Sequence, residues 1–168
     1  MSGEESDTYI SRGDQLIEQR DYDGAVAVYT EAASIEPKDG FIYQLRGDAY
    51  RLKGDMDRAI VDYSRALSLY DDDEDMALTH LYRAAAYKSK SEYHNVIADA
   101  NEAIKRGFFL DAAYLARGIA HYMVGPVKQA FEDLKTAADL GSKGALKELE
   151  KYGVSYTPNT EKQTQKPD

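Results

Sequence analysis

The 168-residue sequence contains no cysteine and no tryptophan, and it has only four prolines. Without cysteine the chain can form no disulfide, thiolate metal site or cysteine nucleophile. It also lacks the run of roughly 20 apolar residues that a membrane-spanning helix needs. Positive charge is scarce, with 21 lysines and arginines against 30 aspartates and glutamates and a net charge of -9. This charge repels phosphate backbones and anionic lipid surfaces, so we expect neither nucleic acid nor a membrane as a partner.

Catalytic and metal-binding motifs are missing too. The sequence has no G-x-S-x-G element, no glycine-rich phosphate loop and no H-E-x-x-H. His80, His94 and His121 fall at different positions of the repeat pattern described below, which argues against a shared metal site. We therefore predict no enzymatic activity, no cofactor and no metal.

An acidic run at residues 71–75 leaves two interpretations open. Carboxylates favour the positive end of a helix, so the run is typical of a helix start, here near Met76. The alternative is a site for a hard cation such as Ca²⁺, although the interleaved glycine and distal glutamate of an EF-hand loop are missing.

The N-terminal sequence MSGEESDTY is acidic and lacks the basic-then-apolar pattern of a secretory signal. We expect a cytoplasmic protein, while a removed export or lipid-anchor segment remains an alternative.

Four segments of the chain repeat one pattern of small and bulky residues. Each starts from a small anchor, and the anchors lie 34, 37 and 34 residues apart. Small residues recur twelve and nineteen positions after each anchor, and a mostly bulky residue recurs sixteen positions after it. The anchors are Gly13, Gly47, Ala84 and Gly118, and the residues twelve positions later are Ala25, Ala59, Val96 and Ala130. Each segment predicts two helices that approach closely where these small residues face each other.

The segment Tyr43-x-x-Arg46-Gly47-x-x-Tyr50, followed by Ala59-x-x-x-Tyr63, resembles the helix-turn-helix unit of the tetratricopeptide repeat, whose period is 34 residues. The resemblance implies an all-α, right-handed α-solenoid in which stacked repeats bury one another's apolar faces. We expect four repeats at about 6–39, 40–73, 77–110 and 111–142, a capping helix at 143–153, and disordered segments at 1–5 and 154–168.

An arginine precedes each anchor, where the family usually has leucine. These are Arg12, Arg46, Arg83 and Arg117, and the residues sixteen positions after them are Val28, Asp62, Asp99 and Asp133. Each aspartate could pair with the arginine of its own repeat or with that of the next repeat. We favour such structural ion pairs over an anion-binding ladder, because a buried charge without a partner is costly.

The resemblance also implies that the first helices of the repeats line a concave surface, called the groove here, in which another protein or peptide binds. The predicted groove residues are Asp7, Ile10, Asp14 and Ile17 in repeat 1; Phe41, Gln44, Asp48 and Arg51 in repeat 2; Leu78, Leu81 and Lys88 in repeat 3; and Leu115, Ile119, Tyr122 and Met123 in repeat 4. The groove is acidic at repeat 1 and apolar at repeat 4. A partner with basic residues toward repeat 1 and apolar residues toward repeat 4 would match it.

Other functions remain open at this stage. The apolar half of the groove could be covered by the chain's own C-terminal tail, or by a second copy in a homo-oligomer. Small repeat-built chaperones of bacterial secretion share the architecture alone. One subset of the family clamps the C-terminal carboxylate of heat-shock chaperones with lysine, asparagine and arginine. This chain has Ile10, Asp14, Leu45, Leu78 and Tyr82 at those places, so we do not expect that clamp.

Overall fold

The computed structural model describes residues 2–159, with side chains from residue 5 onward. Within this range the chain forms nine helices and no strand. They are α1 (Ser2–Glu18), α2 (Tyr22–Ile35), α3 (Gly40–Lys53), α4 (Met56–Leu67), α5 (Asp73–Ser89), α6 (Tyr93–Arg106), α7 (Leu110–Val124), α8 (Val127–Asp139) and α9 (Lys143–Lys151). The fold is all-α, as predicted.

Several helices are preceded by an aspartate at the N-cap, because its side-chain oxygen can accept a hydrogen bond from a backbone N–H of the first turn that would otherwise be unpaired. Asp21 accepts the N–H of Gly24, and Asp55 accepts that of Arg58. Asp72 accepts the backbone N–H groups of Glu74 and Asp75 at 2.8 and 3.1 Å. The acidic run is therefore the start of α5, which begins at Asp73 rather than near Met76.

Each repeat is a pair of antiparallel helices held together at its small anchor. A Cβ atom on Gly47 would lie 2.8 Å from the Tyr63 ring, and one on Gly13 would lie closer still to Tyr29. The residue sixteen positions after the anchor thus fills the space over the glycine, a nearer contact than the one predicted twelve positions after it. In repeat 3 the anchor is Ala84, and the residue sixteen positions later is correspondingly small.

The repeats stack through similar clusters of buried residues. Ala25, Tyr29 and Ala49 form the cluster between repeats 1 and 2, and the next junction uses Ala59, Tyr63 and Ala86 in the same register. The second helix of each repeat packs against the first helix of the next. Stability therefore comes from neighbouring repeats, as expected for a solenoid.

The two ends of the stack differ in character. Helix α1 carries Thr8, Ser11 and Gln15 at the register positions where α3 has Ile42, Leu45 and Ala49, so its outer face is polar. At the other end, α9 buries Ala145 and Leu149 against Leu134, Ala137 and Ala138 of α8. Helix α9 thus covers the apolar face of repeat 4, as a cap must.

The terminal segments differ from the expectation of disorder. Helix α1 begins at Ser2, so residues 2–5 are helical. After the cap, Val154 and Tyr156 pack on the cluster around Leu134, and the Tyr156 hydroxyl donates to Asp139 at 2.8 Å. Val154 and Tyr156 are two residues apart in a non-helical segment, and both bury apolar surface against this cluster. Residue 1 and residues 160–168, which belong to the predicted disordered segments, lie outside the described residues.

None of the helices within residues 2–159 has the combination of length and apolar content required to cross a bilayer.

Candidate functional site

The structure pairs each of three arginines with the aspartate of its own repeat. Arg46 donates to Asp62 at 2.7 and 2.8 Å, Arg83 to Asp99 at 3.0 and 2.6 Å, and Arg117 to Asp133 at 2.9 and 2.7 Å. In every pair the Nε and Nη2 atoms each reach one carboxylate oxygen. The rival pairing, of each aspartate with the next repeat's arginine, is not found among the ion pairs of the described residues.

The remaining guanidinium nitrogen, Nη1, connects each repeat to the one before it. It donates to Thr30 from Arg46, to Ser64 from Arg83 and to Asn101 from Arg117, at 3.2, 2.8 and 2.7 Å. The hydrogen bond to the aspartate raises the pKa of Arg46 and Arg117. Because their donors are directed at protein oxygens, these arginines do not present the geometry of an anion-binding ladder.

Arg12 is different, because its repeat lacks the aspartate. Val28 occupies the matching position, and Arg12 is exposed on the outer face of α1. Among the side chains that the structure describes, none forms an ion pair with Arg12.

Two of the three histidines join the arginine–aspartate pairs. His80 Nδ1 lies 2.8 Å from Asp99 Oδ1, and His121 Nδ1 lies 3.0 Å from Asp133 Oδ2. His94 is exposed at the start of α6. In the described part of the chain no group of three histidine or carboxylate side chains is arranged to hold a metal ion.

The residues predicted to form the acidic end of the groove lie on α1. Asp7 and Asp14 are exposed, while Ile10 and Ile17, each three residues after one of them, are half-buried against repeat 2. The Tyr29 hydroxyl donates to Asp14 at 2.6 Å, which fixes this carboxylate. Burial, followed by that hydrogen bond, raises the pKa of Tyr29.

Repeat 2 carries a similar tyrosine–aspartate bond but less negative charge. The Tyr63 hydroxyl donates to Asp48 at 2.8 Å, and Arg51 pairs with the same carboxylate at 3.0 Å. Arg51 therefore offsets the charge of Asp48, whereas the predicted groove residues Asp7 and Asp14 of α1 form no ion pair with a described side chain.

Gln44 was predicted to face the groove, but the structure buries it. Its side-chain oxygen accepts hydrogen bonds from Tyr70 at 3.0 Å and from Thr79 at 2.7 Å. Gln44 thus ties α3 to α5 and to the segment after α4. Phe41, three residues earlier, is 46% exposed and presents an apolar side chain to solvent.

The apolar end of the groove is partly covered by the chain's own cap. Tyr122 stacks on Tyr152, with ring centroids 3.7 Å apart and planes at 17°. Leu115 and Ile119 also pack toward the cluster that α9 completes. Cover by the chain's own C-terminal tail was the alternative for this region. Instead, Tyr152 at the end of the cap covers Tyr122, and the tail residues 154–159 contact α8. Met123 remains 52% exposed.

An apolar pocket of about 200 Å³, called the α5–α7 pocket, opens beside this covered region. It is lined by Leu81, Ala84, Ala85, Lys88, Val96, Ala112, Leu115, Ala116 and Ile119. The predicted groove residues Leu81, Lys88, Leu115 and Ile119 meet there, while Leu78 is half-buried outside it. The sequence prediction missed Ala116 and Val96. A signal for Ala116 was present, because it is a small residue at the repeat position where the preceding repeat has Tyr82.

Four stacked helix pairs with one capping helix define an α-solenoid of the helical-repeat class. The family model described as "Tetratricopeptide repeat" matches residues 6–39 and 42–73, which are the first two helix pairs. The first two helix pairs therefore match the tetratricopeptide repeat, and α5 to α8 continue the same arrangement of stacked pairs, with α9 as a C-terminal cap.

Solved structures share this fold at low sequence identity. The first tetratricopeptide domain of Spaghetti (RPAP3), bound to an HSP90 peptide, is 23% identical with a TM-score of 0.62, covering 68% of this chain and 90% of that one. MamA is 20% identical with a TM-score of 0.72, covering 84% and 85%. The Sgt2 domain from Aspergillus fumigatus is 19% identical with a TM-score of 0.56, covering 92% and 87%. No curated protein sequence matches the chain.

Proposed function

We propose that this protein is a non-catalytic interaction module that binds an extended peptide segment of another protein along the groove. The observation that carries the proposal is the α5–α7 pocket, because it leaves apolar surface open on the face formed by the first helices. Exposed apolar concavities of this kind are typical of binding sites. The Spaghetti domain, solved with an HSP90 peptide, supports the same general role for this fold.

The groove's charge defines which peptide would fit. Basic residues would lie against Asp7 and Asp14, which are exposed, and apolar residues would lie toward repeat 4. The positions of the carboxylate clamp hold apolar or acidic side chains such as Ile10, Asp14 and Leu78. The ligand we propose is therefore an internal segment rather than a chaperone C-terminus, and we propose a cytoplasmic location for the encounter.

The proposal can be tested with a displayed library of random 12-residue peptides. Ala85→Arg places a long charged side chain at the mouth of the α5–α7 pocket, where Ala85 is exposed. Ala98→Arg makes the same change at an exposed position of α6, away from the groove, and is the matched control. We expect peptides selected on the unmodified protein to lose binding to Ala85→Arg and keep it with Ala98→Arg. Equal binding to both variants would contradict a groove site, provided that thermal unfolding shows both to be folded.

Self-association is the second candidate, and a separate observation favours it. Met123, Val124 and Val127, at the turn of repeat 4, are 52, 38 and 46% exposed. Together they form an apolar patch that a second copy could cover. Sedimentation velocity over a range of concentrations tests this: a dimer lost in Met123→Asp would support it, and a concentration-independent monomer would exclude it.

A further inference from the structure

The α5–α7 pocket lies at a repeat junction that lacks two aromatic rings present at the junction before it. Between repeats 2 and 3, the rings of Tyr63 and Tyr82 stack with centroids 6.0 Å apart. At the same register positions one junction later the chain has Ala100 and Ala116. Ala116 lines the space of about 200 Å³ between α5 and α7, whereas Ala100 is buried and does not line it.

The size of this space suits one side chain. An apolar cavity of about 150 Å³ is large enough to hold benzene. The α5–α7 pocket therefore has room for a leucine, methionine or phenylalanine side chain from a ligand. Its walls contain Leu81, Leu115, Ile119 and several alanines, and none of the lining residues is acidic. An apolar side chain that enters the pocket would be removed from water without burying an acidic side chain of the wall.

The rim of the pocket carries one positive charge. Lys88 lines it from the last turn of α5 and is exposed. No described side chain forms an ion pair with Lys88, in contrast to Lys53 and Lys90, which pair with Asp23 and Asp57 of the preceding repeats. An acidic group placed beside the pocket would find this ammonium available.

We propose that the α5–α7 pocket is a specificity site that takes a leucine, methionine or phenylalanine of a bound peptide, with an aspartate or glutamate next to it paired to Lys88. This inference rests on the proposed function and adds the local sequence of the partner. The bound segment is charge-polarised: its acidic residue lies at Lys88, and its basic residues lie at the exposed carboxylates of α1. Reversing the segment would place like charges together at both ends.

The test uses synthetic 12-residue peptides with two arginines at one end and a variable pair at the other, in both chain directions. The first residue of the pair is glycine, alanine, leucine, methionine or phenylalanine, and the second is aspartate or lysine. Binding is measured by fluorescence anisotropy. We expect the large apolar residues to bind at least about tenfold more tightly than glycine, since burying such a side chain stabilises by about 1.5–3 kcal/mol. Aspartate should bind about threefold more tightly than lysine at the second place, as for an exposed ion pair.

Three variants separate the pocket from the rest of the groove. Ala116→Tyr restores the ring that Tyr82 supplies one repeat earlier, and so fills the pocket with a residue already used at this register. It should remove the preference for large apolar residues, while Ala98→Tyr on α6 should leave it intact. Lys88→Gln should remove the preference for aspartate and keep the apolar preference.

Each outcome bears on one of the two proposals. Peptides that bind equally with glycine or leucine, or equally to the unmodified protein and Ala116→Tyr, would overturn the pocket inference and leave groove binding standing. Peptides that bind with the expected preference but are unaffected by Ala116→Tyr and Lys88→Gln would place that preference elsewhere and likewise overturn the pocket inference alone. Failure of every peptide to bind would count against the pocket inference, while the displayed library remains the independent test of the groove.

Discussion

The pair formed by Arg46 and Asp62 offers a sharp test of how the repeats are held together. Asp62 is buried, its two oxygens accept hydrogen bonds at 2.7 and 2.8 Å, and the Arg46 side chain is 18% exposed. Removing one member of a buried pair typically costs about 3–5 kcal/mol. Because Arg46 keeps some access to water, we expect Asp62→Ala to destabilise by about 3 kcal/mol, at the lower end of that range. In a chain of this size this corresponds to a fall in melting temperature of about 6–12 °C.

A double-variant cycle distinguishes the ion pair from simple loss of packing. Asp62→Val introduces the residue that repeat 1 has at this position, Val28, and Arg46→Leu introduces the family's usual residue. Each single change should destabilise, because it leaves a buried charge without its partner. The double variant should recover to within about 1 kcal/mol of the unmodified protein, since an apolar pair often replaces a buried ion pair without loss. Urea unfolding of the four proteins gives the coupling energy. Additive losses in the double variant would refute the pairing argument.

Three further predictions concern the same packing layer. Asp99→Ala should destabilise more than Asp62→Ala in urea unfolding, because His80 also loses its partner; an equal or smaller loss would contradict this. Gly47→Ala should lower the free energy of unfolding by about 1–3 kcal/mol, the usual cost of overpacking, because its Cβ would lie 2.8 Å from Tyr63; unchanged stability would mean that the ring moves freely. Burial raises the pKa of Tyr63 above its ordinary value of about 10. The unfolded chain therefore loses this proton first, so the stabilising contribution is complete below about pH 10 and declines at higher pH. Tyr63→Phe should flatten the alkaline decline in urea unfolding, and an unaltered slope would exclude Tyr63 as a cause.

The fold could be predicted from the sequence because its main determinant is the spacing of small residues. Gly13, Gly47 and Gly118 mark close helix contacts, and together with Ala84 they lie 34, 37 and 34 residues apart, so several coupled positions predict the same pair of helices. The choice of ion pairs could not be predicted. By its position in the repeat, Asp62 could pair with Arg46 of its own repeat or with Arg83 of the next. Only the directions in which the side chains point decide between these two partners.

The groove was less predictable, because side-chain exposure depends on residues far away in sequence. Gln44 has the register of a groove residue, yet Tyr70, in the loop after α4, and Thr79, in the next repeat, bury it. Tyr122 also has that register, but Tyr152, directly after the capping helix, stacks over it. The α5–α7 pocket has Ala116 where the preceding repeat has Tyr82, a difference that the sequence register contains, but its meaning depends on the stacking of Tyr82 on Tyr63, which only the structure shows.

The glycine–tyrosine contact inside each of the first two repeats means that the four units are not interchangeable building blocks. The ring of Tyr63 requires the bare backbone of Gly47, whereas Ala84 belongs with the small residue Ala100. A chimaera that joined the first helix of repeat 3 to the second helix of repeat 2 would set a methyl group against an aromatic ring. The opposite chimaera would leave a hole. A design that recombines these repeats must therefore transfer each anchor together with the residue sixteen positions after it.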